Sequence, residues 1–366
     1  MSTNQPLFDP IQLLTGLVQH YSPSGQEAAA VRFLVQQMQI AGFDAYCDAV
    51  GNAVGTLGTG PLRVMMLGHI DTVPGEIPVQ VTDSKLYGRG TVDAKGPLAA
   101  FVSAAAQGPI KGIQLMVVGA VGEEADSSGA AYLKANTLAG HTPVPDFLII
   151  GEPSHWQRLT LGYKGSAWFN IQVRRPNAHT ASRHASACEV AVEIWQSIVA
   201  WARQHNTDIS SEFGKLVPTL QAIHSENDGL YSTAELQINF RIPPGWQTDQ
   251  LRAAVEQQLP AHTQLRMNAD AVPAFRSDKN NALVRAGLRA IRAHGGKPEF
   301  VLKTGTSDMN MVAPVWQCPT VAYGPGDSNL DHTPEEHIEL AEYQQAVRVL
   351  RSWLEMLAPP TEYSAD

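Results

Sequence analysis

Residues 63–75 read RVMMLGHIDTVPG. An apolar, strand-forming run stops at Gly68, and His69, Asp71 and Pro74 follow at once. A continuous apolar run of this length marks a strand buried on both faces, as a parallel sheet requires. Two further runs end in the same way. IQLMVVGAV leads into Gly122, Glu123 and Glu124, and DFLII leads into Gly151, Glu152, Pro153 and Ser154. Helical stretches lie between them: an Ala-rich segment after Asp93, and SGAAYLKA from Ser128. This alternation predicts an α/β fold, a mostly parallel twisted sheet with helices on both faces.

Upstream, Asp9-Pro10 has the form of a helix start, a capping carboxylate followed by a first-turn proline. A second helix is expected over about 26–40 with Gly42 past its end, and FDAYCDAVGNAVGTLG reads as a hairpin around a Gly-Asn turn. Near residue 160 the texture changes. GSAWFNIQVRR alternates like a half-exposed strand, and SACEVAVEIWQSIVAWARQH is a long amphipathic helix. TLQAIHS and STAELQINFRI are strand-like, TDQLRAAVEQQL is helical, and TQLRMNA is extended. The order β-α-β-β-α-β is that of a ferredoxin-like unit. The first texture then returns, with a helix from Leu283 to His294, strands EFVLK and PTVAYG, and a C-terminal helix before a polar tail after Pro359. The expected organisation is a discontinuous catalytic domain, 1–160 and 271–366, interrupted by an inserted domain over 161–270.

Composition narrows the class. A chain of 366 residues, 44% hydrophobic and 17% charged, suits a globular protein with two cores. A net charge of −9, from 26 basic and 35 acidic side chains, argues against nucleic acid or an anionic membrane as partner. No apolar stretch approaches the roughly 18 residues of a membrane span. MSTNQPLFDPIQLL has no basic region followed by a long apolar core, so it does not read as a secretory signal. Cys47, Cys188 and Cys318 are scattered and odd in number, which fits reduced structural thiols. Together these features point to the cytoplasm.

Ligands in open α/β sheets bind beyond the carboxyl ends of the strands. His69, Glu123, Glu124 and Glu152 all follow such ends. YGRGTVDAKGP places Asp93 in a glycine-flanked loop before a helix, and GPGDSNLDHTPEEH supplies His332 after another strand. Any one histidine is more often a surface or satisfied core residue than a ligand. A Glu-Glu pair is usually solvated, and glycine-acid pairs are often just turns. The repetition of such strand ends in one α/β pattern is what favours a site. Two imidazoles and four carboxylates in one crevice would repel unless cations neutralise them. Mixed histidine and carboxylate ligands suit zinc, and also cobalt or manganese. Two ions sharing one bridging carboxylate need about this many ligands. Asp71 would then orient His69. His20, His141, His155, His205, His262, His294 and His337 are set aside.

GHIDTVPG, YGRGTVDAKG, GEE, GEPS and DHTPEEH resemble, in order and spacing, the di-zinc M20 metallopeptidases and deacylases. That family includes acetylornithine deacetylase, succinyl-diaminopimelate desuccinylase, carboxypeptidase G2 and aminoacylase. The resemblance implies that His69, Asp93 and Glu152 hold one ion, and Glu124, His332 and the bridging Asp93 the other. The ions would be two Zn²⁺ per subunit, with Co²⁺ as the alternative. It implies a cis peptide at Asp93-Ala94, Asp71 as the carboxylate behind His69, and Glu123 as general base toward the attacking water and the departing amine. The inserted unit resembles the family's lid, through which subunits pair as a homodimer. A lid imidazole from the other subunit would hold the oxyanion: His179 is the best match, with His184 close by. Arg241 matches an arginine that holds a substrate carboxylate, although Asn239 stands where many members have Asp. Gly305, Thr306 and Ser307, in KTGTSDMN, match a loop that meets the substrate's α-carboxylate, and turn formation alone could also explain them.

The wording of GHIDTVPGEIPV, GRGTVDAKGPLAAF and YGPGDSNLDHTPEEHIEL is similar to the lysine or ornithine hydrolases that act on an amino-group carrier protein. The resemblance implies release of lysine or ornithine from the γ-glutamyl C-terminus of a small acidic carrier, in lysine or arginine biosynthesis. The simpler alternative is an N-acetylornithine or N-acetyl-lysine deacetylase, or another deacylase such as a desuccinylase or dipeptidase. A non-catalytic metal-binding protein is a third reading. It is disfavoured because Glu123 and every ligand position are filled.

Overall fold

A computed structural model describes residues 8–268 and 271–359. The first seven residues and the polar tail after Pro359 lie outside the described residues, as does the edge of the expected inserted domain at residue 270. The chain divides into two compact units. One is bounded by Met1–Gly162, Ser277–Val301 and Ser307–Asp366, the other by Tyr163–Arg276 and Leu302–Thr306. No helix among the described residues is long and apolar enough to cross a membrane.

The first unit opens with α1 (Pro10–Gln19), where the Asp9 carboxylate accepts from the Ile11 and Gln12 amides, followed by α2 (Ala28–Ile40). Strands β1 (Asp44–Cys47) and β2 (Ala53–Leu57) pair as an antiparallel hairpin. Their turn is built by Asp48, whose Oδ1 accepts from the amides of Val50, Gly51 and Asn52 at 2.9–3.0 Å. A side chain therefore closes this loop, not a two-residue Gly-Asn turn.

The apolar runs are strands β3 (Leu62–His69), β4 (Ile113–Ala120) and β5 (Phe147–Gly151). With β12 (Thr320–Ala322) they form the parallel centre of the sheet, in the order β4-β3-β5-β12. β2 adds antiparallel to β4, and β6 (Arg158–Tyr163) antiparallel to β12. The fold is mixed α/β with a mostly parallel central sheet.

A row of glycines sets how closely α3 (Lys95–Ala105) approaches that sheet. Gly68 of β3 pairs with Gly119 of β4 and with Gly151 of β5. A Cβ on Gly68 would lie 3.3 Å from Leu98, one on Gly119 would lie 2.9 Å from Leu34 and 3.1 Å from Leu98, and one on Gly151 would lie 2.8 Å from Phe101. Every residue of α3 is buried. The helix begins two residues after Asp93, so its seating fixes the height of that carboxylate over the strand ends. Helices α4 (Ser128–Leu138), α7 (Ala282–Ala293) and α9 (Leu340–Leu357) add to the unit, and strand β11 (Glu299–Lys303) begins in it. The segment DMNMVAPVW forms α8 (Asp308–Trp316) despite Pro314, with Ser307 as its cap.

The second unit runs β7 (Gly165–Pro176), α5 (Ala187–His205), β8 (Val217–Asn227), β9 (Tyr231–Ile242), α6 (Thr248–Glu256) and β10 (Thr263–Met267). Its antiparallel sheet has the order β8-β9-β7-β10. Ser186 and Glu189 make a reciprocal capping box at the start of α5. The core joins Phe169, Ile171, Leu236, Ile238 and Phe240 to Ile194, Ile198 and Leu251. The Phe169 and Phe240 rings meet edge to face at 5.6 Å.

Candidate metal centre

His69 is the last residue of β3, Glu123 and Glu124 follow β4, and Glu152 follows β5. All three strand ends point the same way because the strands are parallel. His69, Asp93 and Glu124 each offer a ligand atom within 4.8 Å of the others. Asp93 lies between two imidazoles: its Oδ1 is 3.1 Å from His69 Nε2, and its Oδ2 is 3.1 Å from His332 Nε2. His332 Nε2 is also 3.0 Å from Glu124 Oε1. The Asp93-Ala94 peptide bond is cis. Glu152 is buried and close enough to act electrostatically on Glu123.

Asp71 organises these loops from beneath. Its carboxylate is wholly buried and accepts from Ser24 Oγ at 2.7 Å, from the Glu123 amide at 3.1 Å and from the Glu124 amide at 3.0 Å. His69 Nδ1 lies 3.0 Å from the Asp71 carbonyl and 3.5 Å from its carboxylate. One side chain thus ties the His69 loop to the Glu123-Glu124 loop. Gly122 permits the turn between them. Its φ is +76°, and an added Cβ would meet Ser128 Oγ at 2.6 Å.

The carboxyl groups and imidazoles shift one another's protonation. Burial works to raise Asp71, but hydrogen bonds from His69, Ser24 and the Glu124 amide outweigh it and hold the carboxyl below its usual value. Burial pushes Glu123 well up, and Glu152, Asp308 and Glu124 add to the shift while His69 opposes it. His332 is raised to about 10, chiefly by its contacts with Asp93 and Glu124. The His69 and His332 rings face these carboxylates at hydrogen-bond distance. The donor set suits divalent ions. Tetrahedral zinc with bonds of about 2.0–2.2 Å sets its ligand atoms roughly 3.3 Å apart. The imidazole–carboxylate separations of 3.0–3.1 Å are already close to that spacing.

Several residues of this neighbourhood gave no sequence signal as site residues. Glu342, on α9, accepts at Oε1 from His155 Nδ1 (3.0 Å), the Trp156 amide (3.2 Å) and the Gly326 amide (3.3 Å), joining the loop after Glu152 to the loop before His332. Asp308 is buried at the start of α8, and burial raises it to about 7. Lys95 is buried, donates its Nζ to the His20 carbonyl at 2.8 Å, and is lowered to about 7 by burial. A glutamate or lysine of this kind looks like any surface charge until its packing is known.

The remaining sequence-derived residues divide between the units. Ser307, in the first, accepts at Oγ from the Met309 amide and so caps α8. In the second unit, Arg241 on β9 donates from Nη1 to Thr306 Oγ1 at 3.4 Å, and Asn239 donates to Ser166 Oγ at 2.8 Å. Around Gly305, an added Cβ would meet nothing within 4 Å. His179 is exposed, and its Nδ1 accepts from the Ala181 amide at 3.1 Å. That bond places the proton of the neutral ring on Nε2. His184 is also exposed, and its amide donates to Ser182 Oγ.

Comparison with known proteins gives consistent relatives. The sequence profile described as Peptidase family M20/M25/M40 matches residues 65–356. The [LysW]-lysine hydrolase of Deinococcus radiodurans is 45% identical over 359 residues, covering 94% of this chain and 96% of that protein. The [LysW]-lysine/[LysW]-ornithine hydrolase of Saccharolobus islandicus is 30% identical over 349 residues, covering 94% and 95%. Among solved structures, the M20 family metallo-carboxypeptidase Sso-CP2 from Sulfolobus solfataricus superposes with a TM-score of 0.75 at 14% identity, covering 96% of this chain and 99% of that one.

Proposed function

The chain belongs to peptidase family M20/M25/M40, a metal-dependent amide hydrolase by descent, and from that premise we propose that it releases lysine or ornithine from the γ-glutamyl C-terminus of an acidic amino-group carrier protein. The observation that carries the substrate is the 45% identity, across 94% of the chain, to a protein named for lysine hydrolysis from LysW. The setting would be cytoplasmic lysine or arginine biosynthesis.

His69, Asp93 and Glu152 would hold one divalent ion, and His332, Glu124 and Asp93 a second. Zinc fits first by ligand chemistry, with cobalt next. When bound, such ions supply Lewis acidity that makes water a nucleophile at neutral pH. Glu123 lies beside the ligands, half-buried, without belonging to the tight ligand group, and its carboxyl is free to act as the general base. Its carboxylate takes the proton of the attacking water as the new C–O bond forms. It then returns that proton to the amine as the C–N bond breaks. Asp71 holds the Glu123 amide, and with it the base, against the His69 loop.

For the second unit we keep the lid reading. Its β-α-β-β-α-β order and its β8-β9-β7-β10 sheet support a ferredoxin-like unit through which two copies pair. His179, supplied by the other copy of the pair, would donate from Nε2 to the oxyanion, a role its Nδ1 bond to Ala181 favours. Arg241 with Thr306 would meet a substrate carboxylate.

The test is a competition. Zinc- or cobalt-loaded protein is offered a carrier ending in γ-glutamyl-lysine or γ-glutamyl-ornithine, N-acetylornithine and N-succinyl-diaminopimelate, and the released amine is measured. Carrier conjugates should be cut with kcat/KM roughly a hundredfold or more above the small amides, because remote contacts to the carrier are used in the transition state. Preference for N-acetylornithine would remove the carrier as substrate. No release from any substrate, with metal bound, would favour the binding-protein reading.

A further inference from the structure

Glu336 is fully buried, and its Oε1 accepts from the Val92 amide at 2.9 Å and from the Asp93 amide at 3.2 Å. Its Oε2 takes the Arg89 guanidinium at 2.8 Å, with side-chain exposures of 8% for Arg89 and 1% for Glu336. Arg89 in turn donates from Nε to the Gly75 carbonyl at 2.9 Å and from Nη1 to the Thr333 carbonyl at 3.2 Å. These contacts fall on three segments: the loop after His69, the loop that carries Asp93, and the residue next to His332. The main chain joins in, since the Gly88 amide donates to the Glu336 carbonyl at 3.3 Å.

A buried ion pair is weak support for stability in itself, because desolvation offsets most of the attraction. What distinguishes this pair is where its hydrogen bonds end. The Asp93 loop turns through Gly88 and Gly90 at positive φ, so its backbone has no helix or strand to hold it there. The Val92 and Asp93 amides of that loop both donate to Glu336 Oε1. The guanidinium fork then fixes the spacing of that loop from the two histidine loops, as a planar group with several fixed donors can.

We propose that Arg89 and Glu336 are positioning residues of the metal centre, setting the separation of His69, Asp93 and His332 and thereby the affinity for metal. The inference rests on the metal-centre reading above. Its test reads binding, not turnover. Metal-free parent, Glu336→Gln and Arg89→Lys are titrated with Zn²⁺ against a chromophoric chelator, and melting temperatures are taken with and without Zn²⁺. Glutamine keeps the shape of Glu336 but turns an NH₂ toward one of its partners. Lysine keeps the charge of Arg89 but cannot fork to Gly75, Thr333 and Glu336 together. Both variants should keep the parent's circular dichroism, bind Zn²⁺ roughly 10–100-fold more weakly, and gain less melting temperature on loading. Unchanged affinity in a folded variant, even with a lower melting temperature, would overturn the positioning role. If Glu336→Gln does not fold, Arg89→Lys decides. A parent that binds no Zn²⁺ would instead overturn the metal-centre reading, and this inference with it.

Discussion

Changing Glu123 to glutamine is expected to lower kcat by roughly 10²–10⁴-fold, the range that a positioned general base contributes. Metal content should stay at the parent's level. The reason is placement: His69, Asp93 and Glu124 make the tight ligand group, and Glu123 stands beside it with its amide held by Asp71. Folding should not suffer either. Glutamine has the same shape and adds no charge beside Glu152, Asp308 and Glu124. The melting temperature of the metal-free variant should therefore stay close to the parent's. Steady-state kinetics, metal analysis and a thermal melt on one preparation check all three. Loss of metal together with activity would make Glu123 a ligand and leave the base unassigned.

Asp93→Ala should have the second large effect, on both ions at once. The two carboxylate oxygens face different imidazoles, each at 3.1 Å. Losing a contact outside the ligand set costs metal affinity roughly 10–100-fold. Losing a shared ligand should cost more than that for each ion, leaving turnover at the level of the metal-free protein. His332→Ala should be milder in stoichiometry, because it removes a ligand that meets only Glu124 and one oxygen of Asp93. Isothermal titration of the metal-free variants checks the contrast. Asp93→Ala retaining one tight ion would argue against the bridge.

The parts legible in the sequence were those that follow from local pattern. RVMML, IQLMVVGAV and DFLII are continuous apolar runs because parallel strands are covered on both faces, and each ends in a glycine followed by a polar residue. Those ends point to His69, Glu123, Glu124 and Glu152 as candidate site residues. Asp93 was visible as an acid in a glycine-flanked loop ahead of an Ala-rich helix. Elements whose formation depends on distant packing were not visible. DMNMVAPVW carries Asp, Asn and Pro, which weaken helix propensity, yet it folds as α8 because Ser307 caps it and Met309, Val312 and Ala313 are buried. RLTLGY is a strand that pairs with β12 on one side and also with β11.

The supporting charges were illegible for a different reason. Glu336 sits in TPEEH next to Glu335, and nothing local says that one of the two is buried while the other is exposed. Its partner Arg89 is 247 residues away. Glu342 and His155 are separated by 187 residues. Local pattern names the candidate ligands, since these follow strand ends, whereas the groups that hold the loops are defined only by tertiary contact. The row formed by Gly68, Gly119 and Gly151 lies between these cases: each glycine is visible in its strand, but only register shows that they align beneath α3.

The central claim is that Asp93 joins two ions held by separate histidines. The most direct measurement is anomalous diffraction from crystals of the zinc-loaded protein at the zinc edge. The account predicts two peaks roughly 3.5–4 Å apart, one beside His69 Nε2 and one beside His332 Nε2, with the Asp93 carboxylate between them. A single peak shared by both histidines, or two peaks with Asp93 bound to neither, would contradict it.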